Sequence, residues 1–548
     1  MKEKISNKQW ALIFAVTWFV FNMMLSAFTD LAEDEAYYWL FAKFLDWGYF
    51  DHPPMIALMI KAGGWLLPAE AGIRLFTVLF SSLSLCVLFC ITEFRKVGLM
   101  FLLFLSVPAF HAFGFISAPD VPLMFFGALY LWLFKCYLEK DSLKNTLLLG
   151  LVASLMMYSK YHGILLIVFT LLPNLKLLAR KSFWLTTFIA LLLFVPHIWW
   201  QVQNDYPSLQ YHLVDRVNRN YEFRFTYEYL LGQMAFCGPL LFLLFFRFSG
   251  QVVSPFNKTM KWTAILVLFF FLVFSFRTFI EANWGAIAYL PMLLFVHGVL
   301  EKTDLARGWK TLAYFSVSVL VVFRIALMFP NDVLKFGFVK QFYRDKEFFP
   351  KVRQVAGDLP VVFLNTYQKP SKYSFYYGVP SFSINSFWYR RNQFDKWPIQ
   401  KDLQGKTVMI VGTDPFATAQ KLEGEGVYYL KEEDFKSYGY VQLMLSKRDF
   451  EQASGQVLKG ALTVKNQWGD SLRYDTIPME IGVVVKGKDK EFRFTVAKIM
   501  ENDLVSGSRI PFEIPAIPEK GEYKLIFGLN DDVGITLWNS SVYSLTVK

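Results

Sequence analysis

Residues Leu31–Met55 read LAEDEAYYWLFAKFLDWGYFDHPPM. Three consecutive acids open the stretch, Glu33, Asp34 and Glu35, and Asp51, His52, Pro53 and Pro54 close it. An apolar run precedes it and another follows. A charged, aromatic interruption between two greasy segments is expected where a chain leaves a membrane and re-enters it, and the rest of the sequence must say on which side.

Apolar residues make up 54% of the 548, with 58 Phe. Soluble chains rarely exceed roughly 45–50% even with Gly included. The apolar residues are also clumped into runs near the ~20 residues that cross a bilayer as a helix. Eleven candidate spans result, at about 9–28, 72–92, 98–116, 121–138, 146–159, 162–175, 183–200, 228–247, 262–279, 284–300 and 311–329. The fifth and sixth are short and can be one pair broken around Lys160. The chain is therefore expected to be a polytopic α-helical membrane protein. No small-residue cleavage site follows the first run, so a retained first helix is expected rather than a signal peptide. The formal charge of +11 suits cytoplasmic loops and lipid headgroups rather than nucleic acid. Cys86, Cys90, Cys136 and Cys237 all lie in apolar runs, with no metal or redox spacing.

Lys and Arg give the orientation. With a cytoplasmic N-terminus, the short inner loops hold Arg95 and Lys96, Lys140 and Lys144, Lys176 with Arg180 and Lys181, Lys258 and Lys261, and Lys302 with Arg307 and Lys310. That is the positive-inside pattern. The outer loops are then 29–71, 117–120, 159–162, 201–227 and 277–283. An odd number of spans leaves the region after 329 outside as well. Residues 330–445 alternate strand-like and helix-like pieces (VVFLNT, PSKYSFYYG, KTVMIVGT, PFATAQKLEGEG) and read as a periplasmic α/β unit. Residues 446–548 turn to period-two strands, GALTVKNQ, PMEIGVVVKG, KEFRFTVAKI, GEYKLIFGLN and SVYSLTVK, and read as an immunoglobulin-like β-sandwich.

Every conspicuous polar motif falls on the outer face. Glu33, Asp34 and Glu35 can cap the next helix, since acids favour a helix N-terminus. As a cluster they can also present a carboxylate base at the membrane surface. The aromatic segment after them suits a helix lying in the interface. Asp120, before Pro122, fits a helix N-cap or a second functional acid. Lys160, followed by Tyr161 and His162, can snorkel or meet an anionic phosphate. The loop QYHLVDRVNRNYEFR carries His212, Asp215, Arg216, Arg219 and Arg224, which can be surface charge or a ligand site, and Glu281, Asn283 and Trp284 form another outer cluster. No P-loop, G-x-S-x-G or HExxH accompanies them. A base and cations beside lipid suggest transfer from a lipid phosphate.

The motifs EDEAYYWLFAKFLDWGYFDHPPMIALMI, SAPDVPLMFF, YSKYHGILL and EANWGAIAYLP, with YQKPSKYSFYYG and NSFWYRRNQFD further on, resemble those of the bacterial GT-C glycosyltransferases. This superfamily groups protein O-mannosyltransferases with the aminoarabinose and galacturonic acid transferases of lipid A. The resemblance covers roughly residues 9–400 and leaves the last hundred residues without a family account. It implies the GT-C fold at 1–329 and an inverting inner-membrane enzyme. The donor would be a sugar on a polyprenyl, presumed undecaprenyl, phosphate. The acceptor would be lipid A, lipopolysaccharide or another envelope glycan on the periplasmic face. It also implies Asp34 as the base, with Glu35 and Asp120 as further catalytic acids. Tyr49, His52, Lys160 and Arg216 become donor-phosphate contacts, and Tyr161, His212 and Glu281 further site candidates. Tyr37 and His52 stand where the aminoarabinose transferases carry arginine and lysine, so fixed positive charge is lost there. A divalent cation held by Asp51, His52 or His212 is a minority reading, and the spacing is no metal signature. Protein hydroxyls are an alternative acceptor. A lipid-linked sugar flippase is an alternative class, which would call for mid-bilayer polar residues and related halves.

Overall fold

The computed structural model describes all residues except 1–4, 217–220, 330–336, 343–344, 387–388, 423–425, 468–477, 488–489 and 531–534. The chain divides into two compact units, Met1–Tyr343 and Arg344–Lys548.

The first unit is helical. α1 (Asn7–Phe28) starts at a capping box, where Ser6 Oγ accepts from Gln9 N–H and the Gln9 side chain accepts from Ser6 N–H. Three helices follow: α2 (Glu33–Lys43), α3 (Met55–Leu66) and α4 (Ala69–Ile91). Next come α5 (Val97–Leu105), α6 (Pro108–Ala112), α7 (Asp120–Glu139), α8 (Leu143–Ser159), α9 (Gly163–Leu171) and α10 (Lys181–Gln203). The unit continues through α11 (Pro207–Gln210), α12 (Phe223–Cys237), α13 (Pro239–Phe248), α14 (Pro255–Phe274), α15 (Tyr289–Leu300) and α16 (Arg307–Leu327), with a 3-10 turn at Ala282–Ala288 leading into α15.

Seven helical segments among the described residues are long and apolar enough to cross a membrane, and the pair α12–α13, bent by 103°, makes an eighth. The bend sits at Gly238, whose φ of +84° only glycine takes easily. The other three expected spans fall on shorter helices. Pro108 parts α5 from α6, and Lys160–His162 parts α8 from α9. α8 has 17 residues, a rise of about 25 Å at 1.5 Å per residue, short of the ~30 Å hydrocarbon core. The 282–300 segment is almost wholly enclosed by its neighbours. α10 is the least enclosed, turning Phe188, Leu191, Leu192 and Trp199 outward. α2 does not lie bare along a surface: Ala36, Tyr37, Tyr38, Leu40, Phe41 and Ala42 are buried.

The second unit opens with α17 (Asp345–Ala356), β1 (Val361–Leu364), α18 (Gln368–Tyr377), β2 (Ser381–Ile384), α19 (Ile399–Leu403), β3 (Val408–Gly412), β4 (Gln420–Leu422) and β5 (Val427–Glu432). Their sheet has the order β2-β1-β3-β5-β4, with β2, β1 and β3 parallel. β1 and β3 are continuous apolar runs, as strands covered on both faces require. PFATAQKLEGEG is not helical where described: after Pro415 it turns and forms β4, which pairs antiparallel with β5. The remaining strands are β6 (Val441–Met444), β7 (Asp449–Gln452), β8 (Leu458–Asn466), β9 (Pro478–Lys486), β10 (Glu491–Met500), β11 (Arg509–Ile514), β12 (Gly521–Asn530) and β13 (Tyr543–Val547). They form a five-stranded sheet, β10-β9-β12-β13-β7, and a three-stranded one, β11-β8-β6. Strict alternation in β11 buries Ile510, Phe512 and Ile514, and Phe512 meets Phe527 of β12 at 5.1 Å. Because β6 starts at Val441, the sandwich begins before the composition shift at 446.

Candidate active site

The opening acids divide by direction. Glu35 is fully buried and pairs with Arg74 of α4: Nη2–Oε2 is 2.5 Å and Nε–Oε1 2.8 Å. Its oxygens also accept from Ala32 N–H (2.7 Å) and Ser117 N–H (2.8 Å). Arg74 donates further to the carbonyls of Ser26, Thr29 and Asp30 and to Thr29 Oγ1. Glu35 therefore joins α2, α4 and the turn before α7, and its oxygens are occupied. Asp34, one residue earlier, is exposed on the first turn of α2. One turn on, Tyr38 reaches His52, with Oη and Nε2 3.3 Å apart.

Tyr49 does not face an open site. Its side chain is buried, stacks on Phe41 at 3.9 Å, and donates to the carbonyls of Phe41 (2.9 Å) and Phe44 (3.3 Å). Burial raises its phenol above the ordinary range. Its hydroxyl is bonded within the chain, where a phosphate contact was expected. Six residues beyond Lys43, the last residue of α2, its hydroxyl satisfies orphan carbonyls at the C-terminal end of that helix.

The other predicted residues converge. Asp120, buried in the first turn of α7, takes Lys160 Nζ on both oxygens (2.8 and 2.9 Å) and Asn283 Nδ2 on Oδ2 (3.0 Å). Lys160 caps the C-terminus of α8, so the pair spans the break before α9. Arg216 contacts Glu281 (3.1 Å) and stacks over Trp284 at 4.7 Å from the ring centroid. His212 Nε2 donates to the Asp51 carbonyl (3.0 Å), and its ring lies 5.9 Å from that of Tyr161. At the centre is His162, whose ring is 5.1 Å from Trp284. Burial pushes this imidazole well below its ordinary value, and the nearby positive charges of Lys160, His212, His52 and Arg216 push the same way. It is held neutral. Among the described residues its Nδ1 makes no hydrogen bond.

A second layer went unnoticed in the sequence. His197 of α10 faces the Trp47 carbonyl through Nδ1 (2.7 Å), so Nδ1 carries the proton and Nε2 accepts from Tyr161 Oη (3.0 Å). Gln201 donates to Tyr161 Oη and to Ser208 Oγ, which in turn donates to the Tyr49 carbonyl. Arg74 carried one usable signal, a lone arginine inside an apolar run. His197 carried none beyond its helical spacing to Gln201. Arg224 pairs with Glu222 at the exposed start of α12. Arg219 and the side chain of Asp215 lie outside the described residues. Among the described residues no group of three or more His, Cys, Asp or Glu side chains is placed to hold a metal ion.

Chemically, the arrangement gathers cations that are already partnered. Lys160 has three N–H donors and spends two on Asp120, leaving one for an incoming oxygen. Arg216 presents a planar fork fixed by Trp284. The neutral imidazole of His162 beside them donates or accepts without adding charge.

Residues 51–200 match the family described as dolichyl-phosphate-mannose-protein mannosyltransferase. The chain is 24% identical over 325 residues to the lipid A galacturonosyltransferase RgtD of Rhizobium johnstonii, a match covering 56% of this chain and 68% of the relative. The crystal structure of apo ArnT from Cupriavidus metallidurans superposes with a TM-score of 0.55 at 15% identity, over 77% of this chain and 98% of that one. At that identity the likeness speaks for the fold.

Proposed function

We propose that this chain, a multi-pass member of the GT-C glycosyltransferase superfamily, moves a sugar from a polyprenyl-phosphate carrier to lipid A or another lipopolysaccharide group. The reading places it in the bacterial inner membrane, N-terminus cytoplasmic and C-terminal region periplasmic. The observation that carries it is the gathering of Arg216, His212 and the Lys160–His162 segment about Trp284, with His52 held by Tyr38, one helical turn on from exposed Asp34. Cations and imidazoles gathered where a lipid phosphate can arrive, beside an accessible carboxylate, are what a displacement at a phosphate-bearing anomeric carbon needs.

In this mechanism Asp34 takes the proton from an acceptor hydroxyl, or orients an acceptor phosphate. The acceptor oxygen forms its bond to the anomeric carbon as the bond from that carbon to the phosphate oxygen breaks. The electron pair leaves on polyprenyl phosphate, and a single displacement inverts the centre. Lys160 and Arg216 hold the departing charge, with His52 and His212 hydrogen-bonding. Donors fixed before the reaction supply stabilisation without reorganising. Positive charge absent at Tyr37 and His52 is supplied instead by Lys160 and Arg216. Glu35, with Arg74, positions the turn that carries Asp34. The match at 51–200 to a protein mannosyltransferase family keeps protein hydroxyls as the second acceptor class.

The test is incubation of membranes containing the protein with radiolabelled polyprenyl-phosphate sugars. Label should appear on lipid A, and Asp34→Asn should abolish it with the protein still folded. Label that crosses the membrane without transfer, or normal transfer by the variant, refutes the reading.

A further inference from the structure

The β-rich second unit contains a cavity of about 660 Å³ that the transfer chemistry does not use. It lies where the carboxyl ends of β1 and β3 face the β9–β10 and β12 side of the sandwich. The strand order explains why a crevice opens there. From β1 the chain crosses through α18 to β2 on one side, then returns past β1 to form β3 on the other. Ligands of open parallel sheets bind at such a reversal, outside the carboxyl ends of the strands. The volume lies within the roughly 300–1,000 Å³ usual for small-molecule sites.

The walls are built for a ligand with many hydroxyls. Asn365, which follows β1, holds φ = +54°, a conformation few side-chain-bearing residues adopt. Its Oδ1 accepts from both the N–H and the Oγ–H of Ser386 at 2.9 Å, so its carboxamide is fixed in place. Thr413 and Asp414 extend the wall beyond β3 and are exposed. Opposite them stand Thr495 of β10 and the pair Thr536–Asn530, bonded at 2.6 Å. Two features provide flat surface. Gly482 in β9 has no side chain where a Cβ would approach Thr536 and Asn530, so the sheet is hollowed at that point. Phe416 packs against Gly412 and puts an aromatic ring in the wall. Hydroxyl and amide groups that both donate and accept, around an aromatic platform, match a pyranose with its polar edge and apolar C–H face. A nucleotide fits poorly, since the Gly-rich phosphate turn is missing after β1 and Arg493 is engaged by Glu491.

We infer that the cavity between the β1–β3 carboxyl ends and the sandwich binds a saccharide. The ligand class comes from these walls, and only the choice of first probe rests on the proposed acceptor. The test uses the full-length protein in lipid nanodiscs without donor. Two probes are titrated by saturation-transfer NMR: deacylated lipopolysaccharide oligosaccharide and a peptidoglycan disaccharide. Saturable binding of the first is expected. The double substitution Thr413→Ala/Asp414→Ala should weaken it about tenfold, the loss of one or two hydrogen bonds, and Thr495→Tyr should weaken it by filling the cavity. Both positions are exposed, and circular dichroism with a thermal midpoint checks folding. Binding of the disaccharide alone supports the site and overturns the acceptor choice. Saturable binding of neither probe, or unchanged binding by both folded variants, overturns the site.

Discussion

Replacing Glu35 by Gln separates a positioning acid from a reacting one. Both Glu35 and Arg74 side chains are fully buried, and the guanidinium makes six hydrogen bonds, two of them to this carboxylate. Glutamine keeps the shape but removes the charge, leaving Arg74 without a counter-ion in a dry site. Removing one partner of a buried pair costs about 3–5 kcal/mol. At that size the thermal midpoint of the detergent-solubilised protein should drop by roughly 4–7 °C, given the unfolding entropy of a 343-residue unit. Glu35→Gln/Arg74→Met should recover much of the loss, because no lone buried charge remains. Asp34→Asn, on the exposed first turn, should move stability by no more than about 0.5 kcal/mol yet stop transfer. The assay is the pair of readouts, thermal midpoint and label transfer, on all three variants. Glu35→Gln with an unchanged midpoint and no transfer would falsify the positioning role and make Glu35 the reacting carboxylate.

The remaining tests follow the same logic. Lys160→Met should raise the KM for the lipid-phosphate donor and lower kcat, with Asp120→Asn/Lys160→Met better folded than Lys160→Met alone; an unchanged donor KM would remove Lys160 from the phosphate site. Tyr49→Phe keeps the stack on Phe41 and loses the bonds to two carbonyls, so it should cost about 1 kcal/mol and leave donor KM intact; a raised KM would restore its expected phosphate role. His162 gives a pH signature. Its folded-state value lies well below 6.5, so above pH 6.5 both states are neutral and the group contributes fully. As pH falls through that value the unfolded chain takes up a proton that the folded one refuses, and stability declines. His162→Asn should flatten that acid-side decline in a thermal-midpoint series, and an identical profile would refute it.

The sequence revealed the membrane unit because it rests on a local signal, apolar run length. It could not reveal which of three adjacent acids turned inward. Asp34 and Glu35 sit 100° apart on α2, and only the position of Arg74, 39 residues on, decides between them. The bonding of Tyr49 was hidden for the same reason: its hydroxyl serves carbonyls five and eight residues earlier, a use no motif records. In the sandwich β8, β9, β10, β12 and β13 were legible from alternation. β6, β7 and β11 were not, depending on partners distant in sequence. The saccharide cavity was invisible, since its walls come from six separate segments.

Three ion pairs organise the candidate site, and each crosses a chain break rather than stabilising one helix. Glu35–Arg74 ties α2 to α4 and to Ser117. Asp120–Lys160 ties the start of α7 to the gap between α8 and α9, with Asn283 bringing in the turn before α15. Arg216–Glu281 ties the segment after α11 to the approach of that same turn. The first is sealed and symmetrical in charge, so it is a fixed hinge-pin. The other two are less complete: Lys160 retains a donor, and Glu281 is about half exposed. An arriving phosphate can share Lys160 with Asp120 and compete with Glu281 for Arg216 without exposing a buried lone charge. The energetic consequence is directional. Donor binding should tighten the contacts among α7, the α8–α9 break and the 282–288 turn, while the Glu35–Arg74 region stays as it was. Amide hydrogen exchange with and without polyprenyl phosphate measures this: added protection at 160–163 and 282–288, and none at 32–35, is the expected outcome. Protection spread evenly over all four segments would mean that the pairs do not act separately.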